Sequence, residues 1–156
     1  MKGFHLTIIQ IGKTKNRSIE ELEKEYIKRL KSYAEVKVLT LKDGGKGEKD
    51  RIKKEEGRNI LKKVPENSFV VALHEKGKEY TSDEFAKFMG KKQDAGSTNI
   101  TFIIGGCYGL DEEVLNRADI RLSFSSFTFT HELIRPLLYE QLYRCFTLIE
   151  GKKYHY

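Results

Sequence analysis

The chain alternates short apolar runs with stretches in which apolar residues recur at helical spacing. Five of the runs have the alternating or continuously apolar character of β-strands. These predicted strands are FHLTIIQI (4–11), VKVLTL (36–41), FVVALH (69–74), ITFII (100–104) and IRLSF (120–124). Because ITFII is apolar throughout, it suits a sheet that is covered on both faces.

The segments between these runs predict amphipathic helices. The first helix would place one apolar face at Ile19, Leu22, Tyr26, Leu30 and Tyr33. Two pairs have the spacing of a capping box, which marks a helix start: Ser18 with Glu21, and Thr81 with Glu84. Five helices are predicted. The first covers 18–33, the second follows KDGGKGEKDR and ends near Lys63 before Pro65, and the third follows Thr81. The fourth covers 111–118, and the fifth is HELIRPLLYEQLYRCFTLI (131–149).

Strand and helix alternate about five times, which predicts an α/β fold: a doubly wound, mainly parallel sheet with helices on both faces. The 156 residues suit one domain, 1–156. Ligands of such sheets bind outside the carboxyl ends of the strands. Three loops are therefore candidates for the functional site: the loop after Leu73, the loop at Gly105, and SFSSFTFT (123–130).

The loop GGCYG (105–109) raises the question of what approaches its backbone. A dinucleotide fingerprint fails because Ile104 stands where the first glycine is needed, and GGKGEK lacks the ending of a P-loop. As a strand–turn–helix elbow, G-x-C-x-G would expose the Cys107 thiol at a helix start and activate it for a hydrolase. That alternative also needs a base and an orienting acid on one face, which the sequence does not supply.

A third interpretation of the same loop is the edge of a cofactor pocket. Glycines let backbone N–H and C=O groups approach a ligand directly. The loop SFSSFTFT suits the same purpose, because small-molecule pockets combine apolar walls with a few polar anchors. Its hydroxyls belong to Ser125, Ser126 and Thr128, and its apolar walls to Phe124, Phe127 and Phe129. The residue types alone do not identify the cofactor.

The net charge of +6 and the pI near 9.2 leave two interpretations open: many solvated surface lysines, or a polyanionic partner such as RNA or DNA. A basic stretch in the middle of the chain is a candidate RNA footprint, although acidic residues interleave with it and a solvated mixed-charge helix face explains it equally well. Its cations are Lys42, Lys46, Lys49, Arg51, Lys53 and Lys54.

Several classes of protein are disfavoured by composition. The two cysteines have no CxxC neighbour, so we expect neither a structural zinc site nor a disulfide framework, and a reducing, cytoplasmic setting fits best. The sequence contains no run of about 18 apolar residues, so no membrane span is predicted. The first run, MKGFHLTIIQIG, alternates like a strand and is expected to be structural rather than a signal peptide.

Five segments occur in one order and at tight spacing: LHEKGK (73–78), FIIGGCYGL (102–110), LSFSSFTFTHELIR (122–135), EQLYR (140–144) and YH (154–155). Together with VLTLKDGGKG and KKEEGRNIL in the basic middle, they make nearly the whole chain resemble the ribosomal RNA large subunit methyltransferase H family, which are small SPOUT-class enzymes. Each segment alone is loose, and their joint order makes the resemblance specific.

The resemblance implies a C-terminal trefoil knot, which strand–helix patterning cannot reveal. It implies that S-adenosylmethionine is the cofactor, and that the methyl group goes to N3 of a pseudouridine in 23S ribosomal RNA of the large subunit or assembled ribosome. A homodimer is implied too, and no metal. The family's cofactor contacts carry over to Leu73, Gly105, Phe124, Ser125, Ser126, Phe127, Thr128 and Phe129.

Catalysis needs a base, because N3 of a pseudouridine carries its proton at neutral pH. Histidine titrates in the right range, and His131 and His155 are the candidates. We favour His155, because a chain terminus can close over a bound base. Tyr154 would stack on the target base, and Arg135 would hold an RNA phosphate or the cofactor carboxylate. Core or dimer contacts are expected from Leu133, Leu137, Leu142 and Phe146.

The chain departs from the family pattern in three places. Thr130 replaces a usual proline and would cap the following helix. Pro136 replaces an aliphatic residue, and if the helix starts at His131 it removes a hydrogen bond to Glu132 and kinks the helix. The terminus KYHY lacks the usual basic residue after YH. A cysteine hydrolase using Cys107 and a knotted RNA-binding protein without catalysis remain the alternatives.

Overall fold

In a computed structural model of the protein, residues 3–154 are described, and strands alternate strictly with helices. The elements are β1 (Phe4–Ile11), α1 (Arg17–Leu30), β2 (Ala34–Leu41), α2 (Lys49–Lys63), β3 (Phe69–Glu79), α3 (Ser82–Asp94), β4 (Asn99–Ile104), α4 (Glu112–Arg117), β5 (Ile120–Ser123) and α5 (Ile134–Ile149). The predicted α/β alternation is confirmed.

The five strands form one sheet in the order β2-β1-β4-β3-β5, and every neighbouring pair is parallel. Connections β1 to β2 and β3 to β4 run in one direction across the sheet, and the other two run back. Because parallel crossovers are almost always right-handed, connections in opposite directions place their helices on opposite faces. The sheet is therefore doubly wound, as predicted.

Two apolar clusters confirm this two-faced packing. On one face, Leu30 of α1, Met89 of α3 and Leu142 of α5 share a core. On the other face, Ile60 of α2 packs in one cluster with Val114 of α4. Neighbouring residues along the central strands alternate between the two clusters, as the period of two along a strand requires. Ile8 and Phe102 lie in the first cluster, and Ile9 and Ile103 in the second.

The sequence predicted two capping boxes, and the structure contains one of them. The capping box of α3 is confirmed, since Thr81 and Glu84 each accept a hydrogen bond from the backbone N–H of the other. The capping box at Ser18 is wrong. Asn16 caps α1 instead, because its Oδ1 accepts from the N–H of Ile19 at 3.1 Å.

Strand β3 is longer than the predicted 69–74 and continues to Glu79. Its pairing with β5 is interrupted between Leu73 and Lys78, and then resumes. The close approach explains Gly77, because a Cβ there would lie 2.6 Å from the carbonyl carbon of Arg121. The irregular part of β3 thus runs beside the end of β5, where the candidate loops meet.

Helix α5 starts at Ile134, three residues later than predicted, after a turn over 131–133. Pro136 therefore lies in the first helical turn, where backbone N–H groups have no helical partner, so the condition for the predicted kink, a helix start at His131, is not met. Thr130 is not the N-cap, because Leu133 occupies that position without a side-chain cap. The Oγ1 of Thr130 accepts from the N–H of Leu133 at 3.2 Å and holds the turn that precedes the helix.

The sheet order and the helices on both faces are consistent with the SPOUT fold that the resemblance implies, and the C-terminal knot stays a prediction. No helix within residues 3–154 combines the length and the apolar character that crossing a bilayer requires.

Candidate active site

A cleft of about 670 Å³ opens where β4, β5 and the irregular part of β3 end. All three loops that the sequence nominated meet in it, as expected for a parallel sheet. The cleft is lined by every predicted cofactor contact except Ser126, namely Leu73, Gly105, Phe124, Ser125, Phe127, Thr128 and Phe129. Their contact with a cofactor stays a prediction, but the chain does bring these residues together.

The segment 124–129 is held in place by carboxylates of β3. The hydroxyl of Thr128 donates to Oε2 of Glu75 at 2.7 Å, and the hydroxyl of Ser126 donates to Oε1 of Glu79 at 3.3 Å. The N–H of Phe127 donates to Oγ of Ser125 at 3.0 Å, which leaves the aromatic ring 80% exposed. Ser126 thus lies outside the cleft lining because its side chain turns toward Glu79.

The glycine-rich loop is shaped by its own backbone. Gly109 has a φ of +84°, and its N–H donates to the carbonyl of Gly106 at 3.0 Å. A Cβ at Gly105 would lie 2.8 Å from the carbonyl carbon of Gly109. Tight turning therefore already accounts for glycine at position 105, and glycine there is not by itself a sign of a ligand.

Cys107 is exposed in this loop and lines the cleft. Helix α4 begins only at Glu112, and its N-cap is Asp111, whose side chain accepts from the N–H of Glu113. The thiol therefore does not sit at a helix N-terminus, and the activation expected for a strand–turn–helix elbow is missing. This corrects the main structural argument for a cysteine hydrolase.

His74 and Glu75 also line the cleft. Neither was assigned a role from the sequence, because adjacent residues on a strand do not place a base and an orienting acid on one face. Nδ1 of His74 accepts from the N–H of Lys76 at 3.1 Å, so neutral His74 carries its proton on Nε2 and offers a donor. Their position directly after Leu73, at the end of the buried part of a strand, was the signal that could have identified them.

His131 lines the cleft beside the start of α5. Burial, the charge of Arg135 and the charge of Lys15 lower its pKa below the ordinary value, although Glu132 opposes this. His131 is consequently neutral at neutral pH and can accept a proton.

Arg135 is fully buried and does not line the cleft. Its guanidinium donates to the carbonyl of Ile11 at 2.6 Å and to Oγ1 of Thr14 at 2.9 Å. Burial lowers its pKa, and the nearby carboxylate of Glu23 opposes that shift. Full burial outside the cleft lining does not match the roles predicted for Arg135, a direct contact with an RNA phosphate or with the cofactor carboxylate.

Glu132, which follows His131 in the sequence, forms a second connection between the β1–α1 loop and the start of α5. Its Oε1 accepts from the N–H groups of Lys15 and Asn16, each at 3.0 Å. These two hydrogen bonds lower the pKa of the carboxyl group, the bond from Asn16 being the larger cause. Together, Glu132 and Arg135 fix the segment that carries His131.

The C-terminal segment lies elsewhere within the chain. The hydroxyls of Tyr154 and Tyr26 are 3.5 Å apart, and the ring of Tyr154 packs 5.4 Å from that of Tyr143 and 4.0 Å from the Arg144 guanidinium carbon. Tyr143 is nine residues beyond Ile134, or about 13 Å along α5. Tyr154 is not part of the cleft lining, and His155 lies outside the described residues.

Of the basic stretch, Lys53 of α2 lines the cleft. Arg51 donates instead to Oε2 of Glu55 at 3.0 Å and to the carbonyl of Lys46 at 2.9 Å. Within residues 3–154, no group of three or more His, Cys, Asp or Glu side chains is placed to hold a metal ion.

Comparisons with known proteins agree with this geometry. A family model described as "Predicted SPOUT methyltransferase" matches residues 4–155. The ribosomal RNA large subunit methyltransferase H of Carboxydothermus hydrogenoformans is 44% identical over 156 residues, covering 96% of this chain and 98% of that protein. The protein of the same name from Halothermothrix orenii is 45% identical over 156 residues, with the same coverage.

Among solved structures, a probable methylase family protein from Haemophilus influenzae Rd KW20 matches with a TM-score of 0.56 at 13% identity. The match covers 99% of this chain and 71% of that chain, and it supports the fold alone. The family model and the relatives go further: this chain belongs to the SPOUT methyltransferases and, within them, to the ribosomal RNA large subunit methyltransferase H family.

Proposed function

We propose that this methyltransferase transfers a methyl group from S-adenosylmethionine to N3 of a pseudouridine in 23S ribosomal RNA, acting on the large subunit or the assembled ribosome in the cytoplasm. The observation that carries the proposal is a cleft in which the part of β3 that follows Leu73 meets the ends of β4 and β5. The names of relatives at 44% and 45% identity supply the class of RNA.

The residues of the cleft fit S-adenosylmethionine. Its volume of 670 Å³ falls within the roughly 300–1,000 Å³ of small-molecule sites. Leu73, Phe124 and Phe129 provide apolar walls for an adenine, while the backbone of 105–109 and the hydroxyl of Ser125 provide polar anchors. When bound, the cofactor supplies an electrophilic methyl group on a sulfonium.

The chain must then remove the N3 proton. We assign this to His155 as general base, with Tyr154 stacking on the target base. His131 is the second candidate, since it lines the cleft and its lowered pKa keeps it neutral. For Arg135, burial favours a positioning role: through Ile11 and Thr14 it holds the start of α5.

A homodimer would complete the site. Within one chain, Tyr154 packs against α1 and the middle of α5 rather than in the cleft. The terminus of a second copy is therefore the better source of Tyr154 and His155, and each cleft would combine a cofactor pocket from one protomer with a tail from its partner.

Lys53 extends the basic stretch to the rim of this cleft and is the best placed of its cations to meet an RNA phosphate. If these lysines contact RNA, binding must weaken steeply as salt is raised, because each neutralised phosphate releases counterions.

The test is methyl transfer from labelled S-adenosylmethionine to ribosomes that lack the modification. We expect label at N3 of one pseudouridine of 23S RNA. His155→Ala should slow transfer at saturating substrate by about 10²-fold or more. Cys107→Ser should retain activity, since the thiol has no assigned role.

Three outcomes would contradict the proposal or a part of it. Cofactor binding without RNA methylation on any ribosomal particle would favour a non-catalytic RNA-binding protein. Loss of activity in Cys107→Ser, with normal folding, would return the cysteine to the reaction. An unchanged rate in His155→Ala would remove that residue as the base and leave His131.

A further inference from the structure

We propose that the carboxylate of Glu75 makes the cleft selective for a cationic sulfonium ligand over the neutral thioether left after methyl transfer, and thereby favours product release. This inference rests on the proposed function, because it assumes that S-adenosylmethionine occupies the cleft.

The position of Glu75 is fixed by the predicted cofactor loop. Its Oε2 accepts from the hydroxyl of Thr128 at 2.7 Å, and its backbone carbonyl accepts from the hydroxyl of Ser123 at 3.0 Å. Both Glu75 and Thr128 line the cleft. Within residues 3–154, Oε1 of Glu75 takes part in no hydrogen bond, so one oxygen is available to face a ligand.

The charges around the cleft single out this carboxylate. Among the described residues that line it, Glu75 is the one acidic side chain, and Lys53 is the one cation that is charged at all ordinary pH values. Lys78, a near neighbour on β3, places its Nζ 4.8 Å from the centre of the Tyr80 ring. Its ammonium group therefore has a partner of its own, the face of that ring.

Methyl transfer changes the ligand by one charge. S-adenosylmethionine carries a sulfonium, whereas the product S-adenosylhomocysteine carries a neutral sulfur, and the two share the adenosine, the amino group and the carboxylate. A carboxylate in the cleft therefore attracts the substrate more than the product. Because Glu75 is exposed, solvent screening limits this preference to about fivefold, the upper range for an accessible ion pair.

The chain offers a matched control in Glu79. It lies on the same strand and holds the same loop, through Ser126 at 3.3 Å, but it does not line the cleft. Glutamine at either position keeps an oxygen that accepts the serine or threonine hydroxyl while removing the charge.

The experiment is calorimetric titration of the wild-type protein, Glu75→Gln and Glu79→Gln with each of the two ligands. We expect Glu75→Gln to weaken S-adenosylmethionine binding about fivefold and to change S-adenosylhomocysteine binding by less than about twofold. Glu79→Gln should leave the ratio of the two affinities unchanged. The effect of Glu75→Gln should shrink as salt is raised.

Equal weakening of both ligands by Glu75→Gln would show that Glu75 positions the loop or pairs with the amino group that both ligands share, and would overturn the inference while leaving the proposed function intact. The same change of ratio in Glu79→Gln would overturn it too, since the negative potential of any nearby carboxylate would then explain the preference for the sulfonium. If the folded wild-type protein binds neither ligand, the proposed function fails, and this inference fails with it.

Discussion

Glu56 of α2 is a carboxylate enclosed between two glycine-rich loops and only 5% exposed. Its Oε2 accepts from the N–H of Gly44 at 2.9 Å, whereas Oε1 is buried and has no hydrogen-bond partner within residues 3–154. A Cβ at Gly106 would lie 3.2 Å from that unpaired oxygen. Burial raises the pKa of Glu56, and the neighbouring Asp43 and Glu55 raise it further.

The raised pKa sets the sign of a pH-dependent stability change. As pH rises, the carboxyl ionises first in the unfolded chain, near its ordinary value of 4.5, and only later in the folded protein. The unfolded state therefore gains relative stability between the two pKa values. Glu56→Gln removes this loss of folded-state stability with rising pH, and the amide oxygen still accepts a hydrogen bond from the N–H of Gly44. We expect its unfolding free energy, relative to wild type, to rise as the pH is raised from about 4 to about 8.

Urea titrations at several pH values measure this difference. Glu55→Gln tests one contribution to the effect, because the Glu55 carboxylate, which pairs with Arg51 at 3.0 Å on the same helix, also raises the pKa of Glu56. That variant should show a smaller rise with pH than Glu56→Gln. A flat difference between Glu56→Gln and wild type would mean that an unseen partner stabilises the ionised carboxylate.

At the residue scale, sequence patterns predicted the cleft through the ends of strands, which is why Leu73, Gly105 and Phe124 were found without coordinates. They could not predict that Arg135 is fully buried, since an arginine in an amphipathic pattern normally marks a solvated face. The carbonyl of Ile11, which accepts a hydrogen bond from the buried guanidinium, is 124 residues away along the chain.

At the element scale, the start of α1 has two nearby candidates for its capping residue, Asn16 and Ser18, which substitutions can distinguish. Asn16→Ala should destabilise the protein by about 1 kcal/mol, because Ile19 loses the acceptor for its N–H. Ser18→Ala should change stability by less than about 0.5 kcal/mol. The hydrogen bond from the Asn16 backbone to Glu132 survives in both variants.

Thermal or chemical unfolding of the two variants is the measurement. If Ser18→Ala proves the more damaging substitution, the helix begins later than Arg17 and the capping box predicted from sequence is restored. The comparison is internally controlled, since both substitutions truncate a small polar side chain at the same helix terminus.

Element types were predictable because strand and helix periods differ, and the bounds of β1 and the end of α2 agree with the sequence analysis. Errors arose where distant contacts decide a boundary. The extension of β3 to Glu79 depends on pairing with β5, whose partners lie more than 40 residues away. The late start of α5 likewise depends on Thr130 holding the preceding turn.

At the scale of the whole molecule, alternation predicted a doubly wound sheet but not the order β2-β1-β4-β3-β5. Each crossover can step either way across a sheet, and local periodicity does not encode the direction. The knot came only from the family resemblance. Of the four apolar residues expected in core or dimer contacts, Leu142 and Phe146 are buried in the core, while Leu133 and Leu137 are exposed.

That exposure bears on the proposed homodimer. Leu133 and Leu137 are 40% and 36% exposed, one helical turn apart, and Phe129 lies exposed nearby in sequence at the cleft. Exposed apolar side chains that cluster beside a site are typical of an interface. A second copy docked there would cover them and bring its C-terminal segment toward this cleft.

We therefore expect light scattering to give the mass of a dimer for the wild-type protein and of a monomer for Leu137→Glu, because a carboxylate in an apolar interface loses its hydration. Methyl transfer to ribosomes should fall at least tenfold in the monomer, for want of the partner's Tyr154 and His155. Val38→Glu, at a similarly exposed residue on edge strand β2, should remain a dimer. A monomeric wild type that methylates ribosomes at full rate would require the tail to reach its own cleft.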